Sequence, residues 1–318
     1  NGGHTNHPIC GATCNGHKDG NSHKDETDWI PLSYKDGKLM KGDDVWKQEQ
    51  NLYRLSTGNY YLADDLTLGD DALVIQGEVS LCLNGHKITV NNYISVNTFS
   101  GSSTSFSLCD CDNKESGYIT KAEGSTVRYG VIVYSDCFFN MYGGIIKGFT
   151  NSAGGGVQGY DGDFNMYGGE ITGNKWGVNM AYSNGTFNML GGKITANTQQ
   201  GVYIEENGKV NMSGGEISNN IGGGVKITKG TFNMSGGKIK GNSADKGGGV
   251  YVDSNGTFTM SDGEISGNKA TNGGGVYVWG DSTHEPKFTM SGGEISGNEA
   301  DTGGGVYVGS YGTFTMSG

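Results

Sequence analysis

Four of the six histidines and two of the six cysteines fall within residues 4–23: His4, His7, Cys10, Cys14, His17 and His23. Cysteine and histidine separated by three to six residues supply the ligands that tetrahedral zinc takes. One structural zinc is therefore expected in this segment. The same residues also fit a Cys10–Cys14 disulfide in an oxidising compartment, or a histidine-rich linker. No acidic base of the HExxH kind accompanies them, so a catalytic zinc is not expected. The other cysteines are Cys82, Cys109, Cys111 and Cys137. A register that puts Leu81 on Leu108 would set Cys82 beside Cys109 at the ~4.8 Å spacing of neighbouring strands. That spacing lies within the Cα range of a disulfide, and four buried thiols are the other reading.

Catalysis on a sugar would need converging carboxylates. The best acidic groups are Asp64 with Asp65, Asp70 with Asp71, and Asp110 with Asp112. Each stands by a turn, where Asp is common for conformational reasons. The only arginines are Arg54 and Arg128, and His86 lies between Gly85 and Lys87. No Ser-His-Asp arrangement is visible, and no Walker lysine follows the glycine runs. A carbohydrate-active enzyme is kept as the second alternative only.

These residues sit in a chain of unusual composition. Of 318 residues, 60 are Gly and 3 are Pro, with 34% apolar, 17% charged and a net charge of −11. Gly at several times its ~7% average usage without collagen's proline calls for many tight turns. The negative charge and scarcity of arginine argue against nucleic acid and anionic membranes as partners. No apolar run reaches the ~18 residues of a membrane span. The amino-terminal residues lack the charged and apolar regions of a signal peptide.

The positioning elements come from a repeat. Phe-Asn-Met-x-Gly-Gly-x-Ile recurs around Met141, Met166, Met189, Met212, Met234, Met260, Met290 and Met316, at spacings of 22 to 30 residues. Gly-Val-x-Val/Ile follows, giving Val178, Val202, Val225, Val250, Val276 and Val306. Leu83 with Ile88, and Leu108 with Ile119, match the Met and Ile positions more weakly. Alternation over a few residues, bounded by Gly and Asn, reads as half-buried strand. Three such strands per unit, with no room for a helix, describe a coil of a parallel β-helix. Asn174, Asn197, Asn220, Asn242, Asn268 and Asn298 stand eight residues after their methionines. They are expected to take the left-handed corner conformation and to hydrogen-bond along the axis. The fold class expected is all-β: a right-handed parallel β-helix of about ten coils over residues 60–318. Residues 1–59 are expected to form a small cap, with Trp29 and Trp46 packing it onto the first coil.

The phrases Asn-x-Ala-x-x-Gly-Gly-Gly-Val-Tyr-Val and Gly-Thr-Phe-Thr-Met-Ser-Gly-Gly-x-Ile-Ser-Gly-Asn resemble the right-handed parallel β-helix repeats of large, adhesin-like surface proteins of gut Firmicutes. Leu81-Cys82-Leu83-Asn84-Gly85-His86-Lys87-Ile88 and Leu108-Cys109-Asp110-Cys111-Asp112 resemble the first coils of the same proteins. The resemblance implies a secreted, cell-surface protein that binds a host protein such as an immunoglobulin, or a mucosal glycan. A structural stalk is the first alternative. Met316-Ser317-Gly318 stops partway through a unit, so a longer protein is expected.

The candidate binding residues lie on the third strand. Between inward valines, Tyr203, Tyr251, Tyr277 and Tyr307 are expected to point outward in a row. Lys226 is expected to interrupt that row, and Trp279 to begin an insertion at its edge, residues 279–287. A monomer binding through this face is the expectation.

Overall fold

The computed structural model describes residues 29–98, 101–111, 116–180 and 184–317. Every regular element among them is a strand, and the strands stack into a parallel β-solenoid of about 11 turns. A regular coil has three strands, as in Asp163–Met166, Glu170–Thr172 and Trp176–Met180. The first two kinds lie in a 22-stranded sheet and the third in an 11-stranded sheet. Coils stack in register: Phe164 on Phe187, Met166 on Met189, Ile171 on Ile194 and Val178 on Val202. All eight side chains are fully buried. The phenylalanines run as stacked rings, Phe106, Phe139, Phe164 and Phe187, with centroids 5.3, 5.0 and 4.8 Å apart. After Val210 the stack resumes from Phe232 to Phe314.

The asparagine ladder forms, with one correction. The left-handed residue is the one before each ladder asparagine: Gly173, Ala196, Asn219, Gly241, Gly267 and Gly297, with φ between 53° and 64°. That residue makes the bend and frees the next amide to point inward. Asn197 Nδ2 donates to Asn220 Oδ1 at 2.9 Å and to Ile171 O at 3.3 Å, and Asn197 N donates to the same Oδ1 at 3.0 Å. The pattern repeats through Asn242 and Asn268 to Asn298. A second, half-exposed ladder joins Asn140, Asn165, Asn188, Asn211 and Asn233 at 2.8–3.0 Å.

The glycine pair after each methionine has a steric cause. At the first position, a Cβ on Gly191 would stand 2.3 Å from the carbonyl oxygen of Tyr167 in the coil before. At the second, Gly192 has φ +77°, and a Cβ would stand 2.6 Å from the Met166 methyl. Adjacent coils approach too closely there for any side chain.

Two details differ from expectation. Leu81, not Leu83, occupies the methionine position, since Leu81 pairs with Leu108 and Leu108 with Met141. Leu83 is buried two residues further on, and in this coil apolar residues at both positions blur the phase. Solenoid pairing also crosses the expected boundary at residue 60. Trp29–Lys35 already pairs in parallel with Gly58–Leu62, and Leu52–Leu55 with Ala72–Ile75. The antiparallel strands Lys38–Lys41 and Asp44–Val45 extend from Trp29–Lys35. Trp46 is buried with its ring 5.0 Å from that of Tyr53, and its Nε1 donates to Arg54 O.

Replacing Asn220 by Ala would leave Asn197 N and Nδ2 without their buried acceptor. At about 1–3 kcal/mol for each unsatisfied group, Asn220→Ala should cost several times as much as Asn211→Ala, where water replaces the lost partner. Met260→Ala, at a fully buried position, should cost ~2–5 kcal/mol. Denaturant unfolding of the three variants checks the order.

Candidate functional site

The amino-terminal cluster of His4, His7, Cys10, Cys14, His17 and His23 lies outside the described residues. Among the described residues, three cysteines do converge. Cys82 pairs with Cys109 in register, as the Leu81-on-Leu108 alignment implies. The Sγ atoms of Cys82, Cys109 and Cys111 all lie within 4.8 Å of one another. All three are buried, in a small apolar cluster with Trp29 and Tyr61. Cys137 belongs instead to the main core, where burial pushes its thiol upward.

The third-strand row is also present. Tyr203 pairs with Lys226, Lys226 with Tyr251, Tyr251 with Tyr277, and Tyr277 with Tyr307. Their side chains leave the core as alternation requires, but the row is not the open aromatic strip expected. Tyr277 is only 5% exposed, while Tyr203, Tyr251 and Tyr307 are partly buried. For Tyr251, Tyr277 and Tyr307 the cause is an outer layer, whereas Tyr203 stacks against Trp176. Ser243–Lys246, Lys269–Asn272 and Glu299–Thr302 form a three-stranded parallel sheet. The backbone that follows closes on the tyrosines: a Cβ on Gly273 would stand 2.8 Å from Tyr277 Cβ. Rings of Tyr277 and Tyr307 stack at 5.1 Å, and Tyr251 meets Tyr277 edge-on at 5.2 Å. Burial, with the Asp253 carboxylate beside it, pushes the Tyr251 phenol well above the usual range.

Where this layer begins, it leaves a step. Val202 and Val225 follow their ladder asparagines by five residues, whereas Val250, Val276 and Val306 follow by eight. The three extra residues make room for the added strand. Its first member, Ser243–Lys246, has no partner strand on the side of the shorter coils. A groove of about 640 Å³ opens there. Its floor is Val225, Lys226 and Tyr251, and its walls are the corners around Gln199, Gln200 and Ile221 and the strand Ser243–Lys246. Ile221 is 62% exposed. Lys226 Nζ lies 5.1 Å above the Tyr251 ring and 3.9 Å from the Asp253 carboxylate. Lys226 therefore continues the row into the groove rather than interrupting it. Trp176 adjoins the same wall: its Nε1 donates to Gln200 Oε1 at 3.1 Å, and its ring stacks 6.1 Å from Tyr203. Gln199, Gln200 and Ile221 were not among the expected site residues. The legible signal was the change of Asn-to-Val spacing from five to eight.

Trp279, two residues beyond Tyr277 on the same strand, is 37% exposed, and Lys246 Nζ lies 5.6 Å from both its ring and that of Tyr277. The insertion after it closes on itself. Asp281 Oδ1 accepts from Thr283 N at 2.8 Å and Thr283 Oγ1 at 2.7 Å, and lies 2.8 Å from His284 Nδ1. These bonds, those from Thr283 foremost, hold the Asp281 carboxyl at about 2. Ionisation thus favours the closed turn above the ordinary Asp range of about 3.9. That contribution is lost as pH falls through about 2. A carboxyl-detected NMR titration should give Asp281 a midpoint below the ordinary Asp range of about 3.9, and Thr283→Val should raise it. No family model, no curated protein and no solved structure matches this chain.

Proposed function

We propose that the chain is a binding module of an extracellular, adhesin-like bacterial surface protein, and that it recognises a mucosal glycan in the groove at the step. The groove itself carries this reading. It places an aromatic face (Tyr251), primary amides (Gln199 and Gln200) and a lysine (Lys226) along one open trough. Sugars are bound by such combinations, with apolar ring faces against aromatic rings and hydroxyls against amides. The support is rigid, since the floor is continuous sheet, so binding would order little of the protein. The sequence resemblance to surface proteins of gut Firmicutes agrees with a mucosal ligand.

The test is a glycan array and mucin titration with the intact chain, alongside an immunoglobulin titration. Saturable glycan binding is expected. Gln200→Ala and Lys226→Ala together should weaken it by about 2 kcal/mol or more if they are hot spots. Tyr167→Ala, on the other sheet, should leave it unchanged. Saturable immunoglobulin binding without glycan binding would transfer the reading to a protein ligand. Absence of any saturable ligand would leave the structural stalk.

A further inference from the structure

We infer that Cys82, Cys109 and Cys111 form a trithiolate site for one thiophilic d10 cation, zinc(II) or copper(I). It is built by the stacking of two coils. The strands Glu78–Cys82 and Thr104–Cys109 pair in register through Cys82 and Cys109, which sets two sulfurs one strand spacing apart. Cys111 follows two residues later and brings the third sulfur to the same side. The three Sγ atoms lie within 4.8 Å of one another. A Zn–S bond of about 2.3 Å requires sulfurs about 4.0 Å apart in a trigonal arrangement. The site therefore needs only a small contraction to close on an ion.

The surroundings suit soft ligation. Cys82 and Cys109 are fully buried and Cys111 is 5% exposed, with Trp29 and Tyr61 packed against them. The Cys-Asp-Cys turn is held in place from its middle residue. Asp110 accepts from Gly85 N at 2.8 Å through Oδ1 and from Gly117 N at 2.6 Å through Oδ2. Asp110 is itself 4% exposed, so the turn is fixed within the fold. Oxidation of Cys82 and Cys109 to a disulfide would use two of the three sulfurs, whereas an ion uses all three.

Binding balances simply. Three thiols release three protons to the buffer, and three sulfur–metal bonds form with no change of oxidation state. The zinc complex then carries one net negative charge and a copper(I) complex two. Thiolate ligands select both ions over harder cations such as magnesium or calcium.

The test uses the full chain carrying Cys10→Ser and Cys14→Ser, so that no sulfur of the amino-terminal segment contributes. The protein is reduced, stripped with a chelator and titrated with cadmium(II). A thiolate-to-cadmium ultraviolet band saturating at one ion per chain is expected, and Cys109→Ser should abolish it. Zinc(II) and copper(I) compete in separate arms, and each in excess should bleach the band as it displaces cadmium(II). Because Cys109→Ser can impair folding, a second measurement keeps every cysteine of the cluster. Zinc should slow alkylation of Cys82, Cys109 and Cys111 at least tenfold and leave Cys137 unaffected. The inference is overturned if the reduced protein shows no saturable band or zinc gives no protection. It is also overturned if peptide mapping of the protein as isolated finds a Cys82–Cys109 disulfide.

Discussion

Each residue of this protein answers to its counterpart one coil away. In-register parallel stacking puts chemically equal positions about 4.8 Å apart, so a side chain is accepted only if it packs against a near copy of itself. Phenylalanine rings meet face to face, aliphatic residues fill the same layer of every coil, and the ladder asparagines serve as donor on one side and acceptor on the other. The last case is the most demanding. A buried amide must find partners for its oxygen and its nitrogen. Translation along the axis supplies both, together with the isoleucine carbonyl one coil back and the preceding asparagine's own amide N–H.

The same constraint explains the composition. Each coil contributes only about five inward side chains, so a low apolar content still fills a continuous core. Glycine is frequent because coil corners approach through backbone atoms. At Gly191 and Gly192 the obstruction to a Cβ is the carbonyl or methionine methyl of the coil before. Tight stacking, more than conformational freedom alone, sets where glycine must stand.

Function enters where stacking is uneven. Uniform coils present repeating faces, and the described chain departs from uniformity in two places that gather different side chains. At the first, two early coils carry Cys at the position later coils fill with Tyr142, Tyr167 and Leu190, and a third Cys turns back toward them. At the second, the loop after the ladder asparagine lengthens, an outer sheet begins, and its first strand leaves a groove against the shorter corners. The first forms by changing the residue at a strand end and the second by lengthening a loop, while the inward ladders run on. A solenoid can thus acquire a site without repacking its core.

By itself the sequence determined the parallel solenoid, the inward residues and the axial asparagine ladder, because each of these is periodic and the period is visible in one dimension. It offered Cys82 beside Cys109 only on the condition that Leu81 aligns with Leu108, and the structure selects that register over the Leu83 alignment. It did not reveal the outer sheet. Ser-Ala-Asp-Lys, Lys-Ala-Thr-Asn and Glu-Ala-Asp-Thr carry no apolar alternation, and they become strands only because neighbouring coils present equal backbones to pair with. The burial of Tyr277, the groove beside Lys226 and Tyr251, and the approach of Cys111 to the other two sulfurs follow from that third dimension. Each depends on how far a loop folds back across its coil, and loop length alone does not encode that direction.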